Sequence, residues 1–200
     1  MLQAKAEIRQ QILIQLGHLT PHRTNREGHE LAKILQQDRL FQNAKKIALF
    51  YPLWGEVDTQ AIHKAIISKN KIPLYPKMDF ERKVLRFHVV KDLKDFHRGP
   101  YQVFEPKQDS LGNEQKDIDL FLVPGLAFSK DGARLGRGAG FYDRTLIQCH
   151  FWGIPRYGIC FPEQILPYIP MGEKDLRMHK VFTPEEEFVV SLPGDFIERN

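Results

Sequence analysis

The sequence predicts an α/β fold: a single three-layer domain with a mostly parallel sheet flanked by helices. Strand-like and helix-like segments alternate along the 200 residues, which is the pattern of connected βαβ units. A chain of this length can bury a sizeable core, and no internal repeat or Ser- or Gly-rich linker divides it. Residues 1–200 are therefore predicted to form one domain, with ligands bound beyond the carboxyl ends of its strands.

The strands are predicted from apolar runs bounded by turn residues and from alternating apolar positions. The run from 118 to 125 is the clearest, and Pro52 stops the run that begins at Lys45. The predicted strands are 45–53, 71–77, 83–90, 118–125, 156–161 and a short one at 187–190. Residues 91–117 are predicted to be a loop and 126–133 a turn, and the proline-rich segment after Phe161 is placed on the surface.

Four helices are predicted from apolar residues at helical spacing and from end signals. The first runs through Ile8 and Leu16 and stops at Gly17. The others are expected near 24–37, 59–70 and 140–150. Lys5 and Arg9 are four residues apart and share one face of the first helix, where a solvated pair of charges is the alternative interpretation.

The composition and charge of the chain indicate which classes of ligand it can bind. The chain has a net charge of +4 and a pI near 9.0, with 42% hydrophobic and 27% charged residues, as in soluble globular proteins. Its basic residues are dispersed, so small polyanions explain the balance and no nucleic-acid partner is predicted. A polar N-terminus and the lack of an apolar run of about 18 residues predict a cytoplasmic protein with no membrane partner.

A glycine-rich stretch, RLGRGAGFYDR at residues 134–144, is the main candidate for function. Glycine recurs at every second position from Gly136 to Gly140, and Arg134, Arg137 and Arg144 lie around them. Glycines let backbone N–H groups approach and surround an anion, and arginine forks match phosphate oxygens. The pattern favours a phosphate site over the alternative of a tight surface loop with solvated arginines.

Several other kinds of site are excluded by their missing motifs. The stretch lacks the GK[ST] ending of a Walker loop and the GxGxxG spacing of a dinucleotide fingerprint, and neither GxSxG nor HExxH is present. Cys149 and Cys160 have no zinc-ligand spacing and are predicted to be reduced thiols in or near the core. Phosphate binding together with a metal is the simplest interpretation. In it Asp143 is an oxygen ligand of the metal, and the alternative is that Asp143 is a helix N-terminal carboxylate.

Residues 124–144, PGLAFSKDGARLGRGAGFYDR, resemble the signature of 5-formyltetrahydrofolate cyclo-ligases, also called methenyltetrahydrofolate synthetases, and every fixed position is filled. Lys5 and Arg9 match the family's N-terminal Lys-x-x-x-Arg, and FYPLWGEVDT matches its strand-then-Glu element. FEP at 104–106, GICFPEQ and KDLRMHKVFT resemble its middle and closing sections. His179 is a departure, since the family more often has Asp there, and this puts the local charge near the metal in doubt.

The resemblance implies an ATP-dependent, Mg²⁺-requiring ligase that cyclises 5-formyltetrahydrofolate to 5,10-methenyltetrahydrofolate and releases ADP and phosphate. The protein is expected to be a monomer. It implies catalytic roles for Lys5, Arg134 and Arg137, and Mg²⁺ held by Asp143 and Asp175. The implied nucleotide-binding residues are Lys5, Arg9, Arg134, Leu135, Gly136, Arg137, Gly138, Ala139, Gly140, Phe141 and Tyr142. The implied folate-binding residues are Tyr51, Glu56, Arg137, Gly138, Ala139, Gly140 and Phe141.

Two other functions are kept as alternatives. One is a non-catalytic folate- or nucleotide-binding protein on the same scaffold, which the departure at His179 leaves open. The other is an RNA-binding domain, suggested by the pI and the arginines. Single residues also have structural alternatives. Glu56 is alternatively a solvated loop residue or a helix-start carboxylate, and Asp175 is alternatively a helix N-cap. Tyr51 and Phe141 are alternatively aromatic residues of the core or of its rim.

Overall fold

The computed structural model describes residues 2–107, 115–151, 153–190 and 192. In this part of the chain the helices are α1 (Leu2–Gln15), α2 (Pro21–Leu35), α3 (Arg39–Asn43), α4 (Gln60–Ser68) and α5 (Phe141–Phe151). The strands are β1 (Lys46–Ala48), β2 (Ile72–Asp79), β3 (Val84–Val89), β4 (Phe96–Arg98), β5 (Phe104–Pro106), β6 (Leu120–Val123), β7 (Ala127–Ser129), β8 (Arg134–Leu135), β9 (Arg156–Ile159), β10 (Ile165–Leu166), β11 (Lys180–Phe182) and β12 (Glu187–Val189).

The central sheet has the strand order β12-β11-β9-β6-β1-β2-β3. The five inner strands run parallel to one another, and the edge strands β12 and β3 are antiparallel to their neighbours. The apolar runs β1, β6 and β9 form its middle, as expected for parallel strands covered on both faces. The predicted mostly parallel sheet is therefore confirmed.

Alternate residues of the inner strands point to opposite faces of the sheet and enter two separate cores. Ile47 and Leu120 pack on one face with residues of α1, α2 and α4, whereas Ala48 and Phe121 pack on the other with Leu146 of α5. Burial on both faces removes apolar surface from water, which is the main driving force for such a layered fold. The three-layer arrangement is the one that the sequence predicts.

The predictions for 126–133 and for the proline-rich segment are wrong in part, because both contribute to a second sheet. Here β7 pairs antiparallel with β8 and parallel with β10, in the order β10-β7-β8. Gln164, inside the proline-rich segment, is buried and donates to the carbonyl oxygens of Gly125 and Leu126. Strands of two or three residues show no usable periodicity, so long-range pairing decides them.

The predicted loop at 91–117 is also wrong in part. Within its described residues, β4 and β5 form an antiparallel hairpin whose turn carries Tyr101 and Gln102 at positive φ. Residues 108–114 of that loop lie outside the described residues. The hairpin is held by Phe96 and Phe104, which pack against the ring of Tyr51 at 4.8 and 4.6 Å between centroids. Tertiary packing of two rings therefore orders a segment whose polar composition favours a loop.

Some predicted elements differ at their ends. Strand β1 ends at Ala48 although the predicted strand runs to 53, and α2 begins at Pro21 because the Thr20 hydroxyl accepts a hydrogen bond from the Arg23 amide. Strand β11, which sequence patterns missed, pairs with both β9 and β12. Cys160 is a buried free thiol as predicted, and burial raises its pKa, while the side chain of Cys149 lies outside the described set.

Candidate active site at the carboxyl edge of the sheet

The two candidate segments meet at one edge of the sheet. Strands β1 and β6 are parallel neighbours, and their carboxyl ends lead into the turn with Glu56 and towards the glycine loop, respectively. Arg137 of the loop donates from Nε to Oε1 of Glu56 at 3.1 Å and from Nη2 to the carbonyl oxygen of Trp54. The prediction that both segments lie on one rim is therefore correct.

A tight turn presents Glu56. Its amide donates to the Leu53 carbonyl at 3.0 Å, and its Oε2 accepts from the Leu53 amide at 2.9 Å, with Gly55 supplying the positive φ of 81° that the turn needs. The side chain is buried. Burial raises the pKa of the Glu56 carboxyl, and the charge of Arg137 opposes that shift. Glu56 is thus a desolvated carboxylate and not a solvated loop residue.

Arg134 links the glycine loop to the start of α5. Its Nη1 donates to the carbonyl oxygen of Pro124 at 3.0 Å, and its Nη2 forms an ion pair with Asp143. The guanidinium also lies over the ring of Tyr142, 5.5 Å from the centroid. Asp143 lies in the first turn of α5, and its side chain is about 40% exposed, so it stays accessible to a ligand.

Helix α1 places two cations on this edge. Lys5 is buried and forms an ion pair with Asp175, and Arg9 donates from Nε to the carbonyl oxygen of Gly136 at 2.8 Å. Asp175 lies in a turn, where it accepts from the amide of Gly172 at 2.7 Å, so the helix N-cap alternative is wrong. Burial acts to raise the pKa of Asp175, but the hydrogen bonds from Gly172 and Lys5 outweigh it and the pKa is lowered.

Three cation–carboxylate pairs therefore share the site. They are Lys5–Asp175, Arg134–Asp143 and Arg137–Glu56. In each pair, a cation predicted to bind phosphate contacts a carboxylate predicted to bind metal or folate. A ligand that takes one member of a pair frees the other for a second ligand, so the geometry favours joint binding of an anion and a metal or folate group.

A cavity of about 420 Å³ is lined by two of these pairs, Arg134–Asp143 and Arg137–Glu56, and we call it the glycine-loop cavity. Its polar wall is formed by Glu56, Glu105, Arg134, Arg137, Asp143 and the backbone from Gly138 to Gly140. Its apolar wall includes Tyr51, Met78, Leu85, Tyr101, Phe104 and Phe141. The residues from β2, β3 and the β4–β5 hairpin escaped the sequence interpretation, apart from the FEP resemblance, because nothing local in these segments signals a site.

Leu135 and Tyr142 differ from their predicted roles as ligand contacts. The Leu135 side chain is buried in the core, so only its backbone is available to a nucleotide. The Tyr142 hydroxyl is buried and has no hydrogen-bond partner among the described residues, and burial raises its pKa. A phenol in this state binds as a neutral group, through its ring or as a hydrogen-bond donor.

His179 forms hydrogen bonds with the backbone of the central sheet. Its Nδ1 accepts from the amide of Arg156, the first residue of β9, at 3.1 Å, and its own amide donates to the Arg156 carbonyl at 2.9 Å. The imidazole is buried and does not belong to the wall of the glycine-loop cavity. His179, whose departure from the family pattern left a non-catalytic function open, therefore has a structural role in the sheet.

Fold and site together define an α/β protein with an arginine-rich glycine loop and an aromatic cavity at the carboxyl edge of its sheet. The chain belongs to the 5-formyltetrahydrofolate cyclo-ligase family, whose model matches residues 1–184, and the predicted ligase class is confirmed. It is 29% identical over 187 residues to the 5-formyltetrahydrofolate cyclo-ligase of Mus musculus, covering 89% of this chain and 92% of that protein. The cyclo-ligase of Haemophilus influenzae is 31% identical over 181 residues, covering 86% and 96%.

Solved structures agree on the fold. The NMR structure of Aquifex aeolicus 5,10-methenyltetrahydrofolate synthetase matches with a TM-score of 0.81 at 24% identity, over 98% of this chain and 97% of that one. In the described parts of the chain, none of the helices has the length and apolar character that crossing a membrane requires. The single domain, the monomeric state and the cytoplasmic location stay predictions.

Proposed function

We propose that this enzyme converts 5-formyltetrahydrofolate to 5,10-methenyltetrahydrofolate with consumption of ATP in the presence of Mg²⁺, releasing ADP and phosphate. The contact between Arg137 and Glu56 carries the proposal, because it joins a glycine loop suited to phosphates to an aromatic cavity suited to a pterin. Membership in the cyclo-ligase family supports the choice of folate as substrate.

The chemistry requires activation of the formyl group. A formamide oxygen is a poor leaving group, so the γ-phosphoryl group of ATP is transferred to it first and ADP is released. N10 of the folate then attacks the activated carbon, the C–O bond breaks to release phosphate, and N10 loses its proton. Phosphoryl transfer needs mainly positioning and charge neutralisation, which the cations and backbone amides of this site supply.

The proposed division of labour follows from the contacts. Lys5, Arg9, Arg134 and Arg137 neutralise phosphate oxygens, while the glycine backbone offers N–H groups at close range. Glu56, a buried carboxylate on the cavity wall, accepts hydrogen bonds from N–H groups of the pterin. Tyr51, whose ring lies 4.6 Å from Phe104, supplies an aromatic wall.

The residues also fit Mg²⁺. Asp143 and Asp175 flank the Arg134 guanidinium, which pairs with the first and acts to lower the pKa of the second. Mg²⁺ takes one or two carboxylates and completes its shell with phosphates and waters, and no cluster of three or more acidic, His or Cys ligands occurs in the described residues. Mg²⁺ bound there would neutralise charge on the phosphates. Arg134 and Lys5, which pair with these two carboxylates, would add positive charge beside the phosphates.

The test is a reconstituted reaction. The purified protein is mixed with 5-formyltetrahydrofolate, ATP and MgCl₂, and formation of the strongly absorbing methenyl product is followed together with ADP. We expect one ADP per product and no product when ATP or Mg²⁺ is omitted. Product formed without ATP, or none formed with the complete mixture across divalent metals, would contradict the proposal.

A further inference from the structure

Arg144, the last residue of the glycine motif, makes contacts that the roles above do not use. Its Nη2 donates to the carbonyl oxygen of Ala139 at 2.9 Å, and its Nε donates to the carbonyl oxygen of Lys83. Its guanidinium also lies over the ring of Phe141, 5.5 Å from the centroid. A single side chain on α5 thus contacts the glycine loop, the start of its own helix and the turn between β2 and β3.

The guanidinium fits against the loop because residue 140 is glycine. Gly140 has a φ of 73°, a conformation in which a side chain is strained, and a Cβ there would lie 2.7 Å from Nη1 of Arg144. The amide of Arg144 also donates to the Gly140 carbonyl at 3.2 Å. The loop conformation and the position of Arg144 therefore depend on each other.

The other end of this contact is a well-defined turn. Lys83 has a φ of 54°, which is uncommon for a residue other than glycine, and it presents its carbonyl to Arg144. One residue along α5, Thr145 accepts from the amide of Leu85 at 2.8 Å and donates to the carbonyl of Phe141 at 2.8 Å. Leu85 lies in the wall of the glycine-loop cavity, so these contacts tie the loop to that wall.

We propose that Arg144 is a positioning residue for the nucleotide. It holds Ala139 and Gly140 in the conformation that presents the loop backbone to phosphate, using the β2–β3 turn as its anchor. A planar fork suits this task, because it donates to two carbonyls in different directions while its face covers a ring. The inference rests on the proposed function, since it assumes that the loop binds phosphate.

The test compares Arg144→Gln with the wild type. We expect the dissociation constant for a non-hydrolysable ATP analogue with Mg²⁺, measured by calorimetry, and the KM for ATP to rise about tenfold or more, and kcat to change by less. Arg144→Lys keeps the charge but loses the planar fork, so its dissociation constant should lie between those of the wild type and Arg144→Gln. Arg86→Gln is the control, because Arg86 lies on β3, close to the same β2–β3 turn, and pairs with Asp79 at 2.9 Å instead of with the glycine loop. It should bind the analogue as the wild type does.

The outcomes separate this inference from the proposed function. A wild-type protein that does not bind the analogue would contradict the proposed function itself. A wild type that binds, with a folded Arg144→Gln variant of equal affinity, would overturn the role of Arg144 alone. Thermal unfolding without ligand reports whether the variant is folded. If Arg144→Gln is not folded, the affinity of Arg144→Lys for the analogue is the test. An affinity equal to that of the wild type would overturn the inference.

Discussion

Two cavities of nearly equal size share residues of the segment after β1 in their walls, and they differ in their basic residues. The glycine-loop cavity, of about 420 Å³, has Arg134 and Arg137 in its wall. The second, of about 450 Å³, lies by the amino ends of α2 and α4, and we call it the α2–α4 cavity. Its charged wall consists of the carboxylates of Glu56 and Asp58, with no basic side chain among its described lining residues.

The difference shows that volume alone does not make a phosphate site. Both cavities share Tyr51, Leu53 and Glu56, but the Glu56 carboxylate is hydrogen-bonded to Arg137 on the glycine-loop side. An anionic ligand therefore meets arginines and backbone amides, beside the carboxylates, in the glycine-loop cavity, whereas the charged side chains in the wall of the α2–α4 cavity are carboxylates alone. Substitutions matched between the two cavities can test this contrast.

The largest contrast is expected between Asp143→Asn and Asp58→Asn. Asp143→Asn removes a proposed Mg²⁺ ligand and should lower kcat/KM by about 10²–10³-fold, comparable to the loss of a group that stabilises transition-state charge. Asp58 accepts from the Gln60 amide at 2.8 Å and from Asn25 at 3.2 Å, so its neutral isostere should change kcat/KM by less than about twofold. Steady-state kinetics measures both, and equal losses would break the contrast.

A smaller contrast is expected between two lysines. Lys5→Gln removes a buried cation beside the loop and should weaken binding of the ATP analogue with Mg²⁺ about 10–100-fold, the range for a hydrogen bond to a charged group. Lys64→Gln, on the exposed face of α4, removes the same charge and should leave the affinity unchanged. Calorimetric titration of both variants decides, and similar affinities would show that general positive charge, and not position, attracts the nucleotide.

Glu56→Gln is expected to separate function from stability. Because the folded-state pKa of Glu56 is raised above 4.5, its stability contribution is full at lower pH and is lost as the pH rises through the raised pKa. Gln does not titrate, so the variant should gain stability relative to the wild type as the pH rises, while folate affinity falls about tenfold. Chemical unfolding from pH 4 to 8 checks this, and a relative loss of stability as the pH rises would contradict it.

The smallest effect is expected at His63, behind the α2–α4 cavity. Its Nε2 must donate to the Lys91 carbonyl at 3.1 Å, so Nδ1 accepts from the Tyr75 hydroxyl at 3.0 Å. Burial lowers the pKa of His63 below 6.5, so its contribution to stability is present above that pH and lost as the pH falls. His63→Gln should flatten the decline of unfolding temperature below pH 6.5 and leave kcat/KM at pH 7 within about twofold. An unchanged pH profile would show that other groups cause the decline.

Local patterns were enough to predict much of this protein. Apolar runs bounded by turn residues predicted β1 and β6 as buried strands, and in the structure their successive side chains enter the two cores on opposite faces of the sheet. The RLGRGAGFYDR stretch predicts an anion site, and the four-residue spacing of Lys5 and Arg9 places both on one helix face. The structure puts that face on the site, where Arg9 contacts Gly136, 127 residues away in the chain.

Only the tertiary structure determined which charged side chains contact one another. Lys5 contacts Asp175 and Arg137 contacts Glu56 across 170 and 81 residues, and no local spacing encodes such contacts. The same holds for β7, β8 and β10, which are too short to show a period and exist because they pair with one another. His179 illustrates the limit best. Its position in the sequence suggested a change of charge near a metal, whereas packing against β9 made its ring a hydrogen-bond acceptor for the Arg156 backbone.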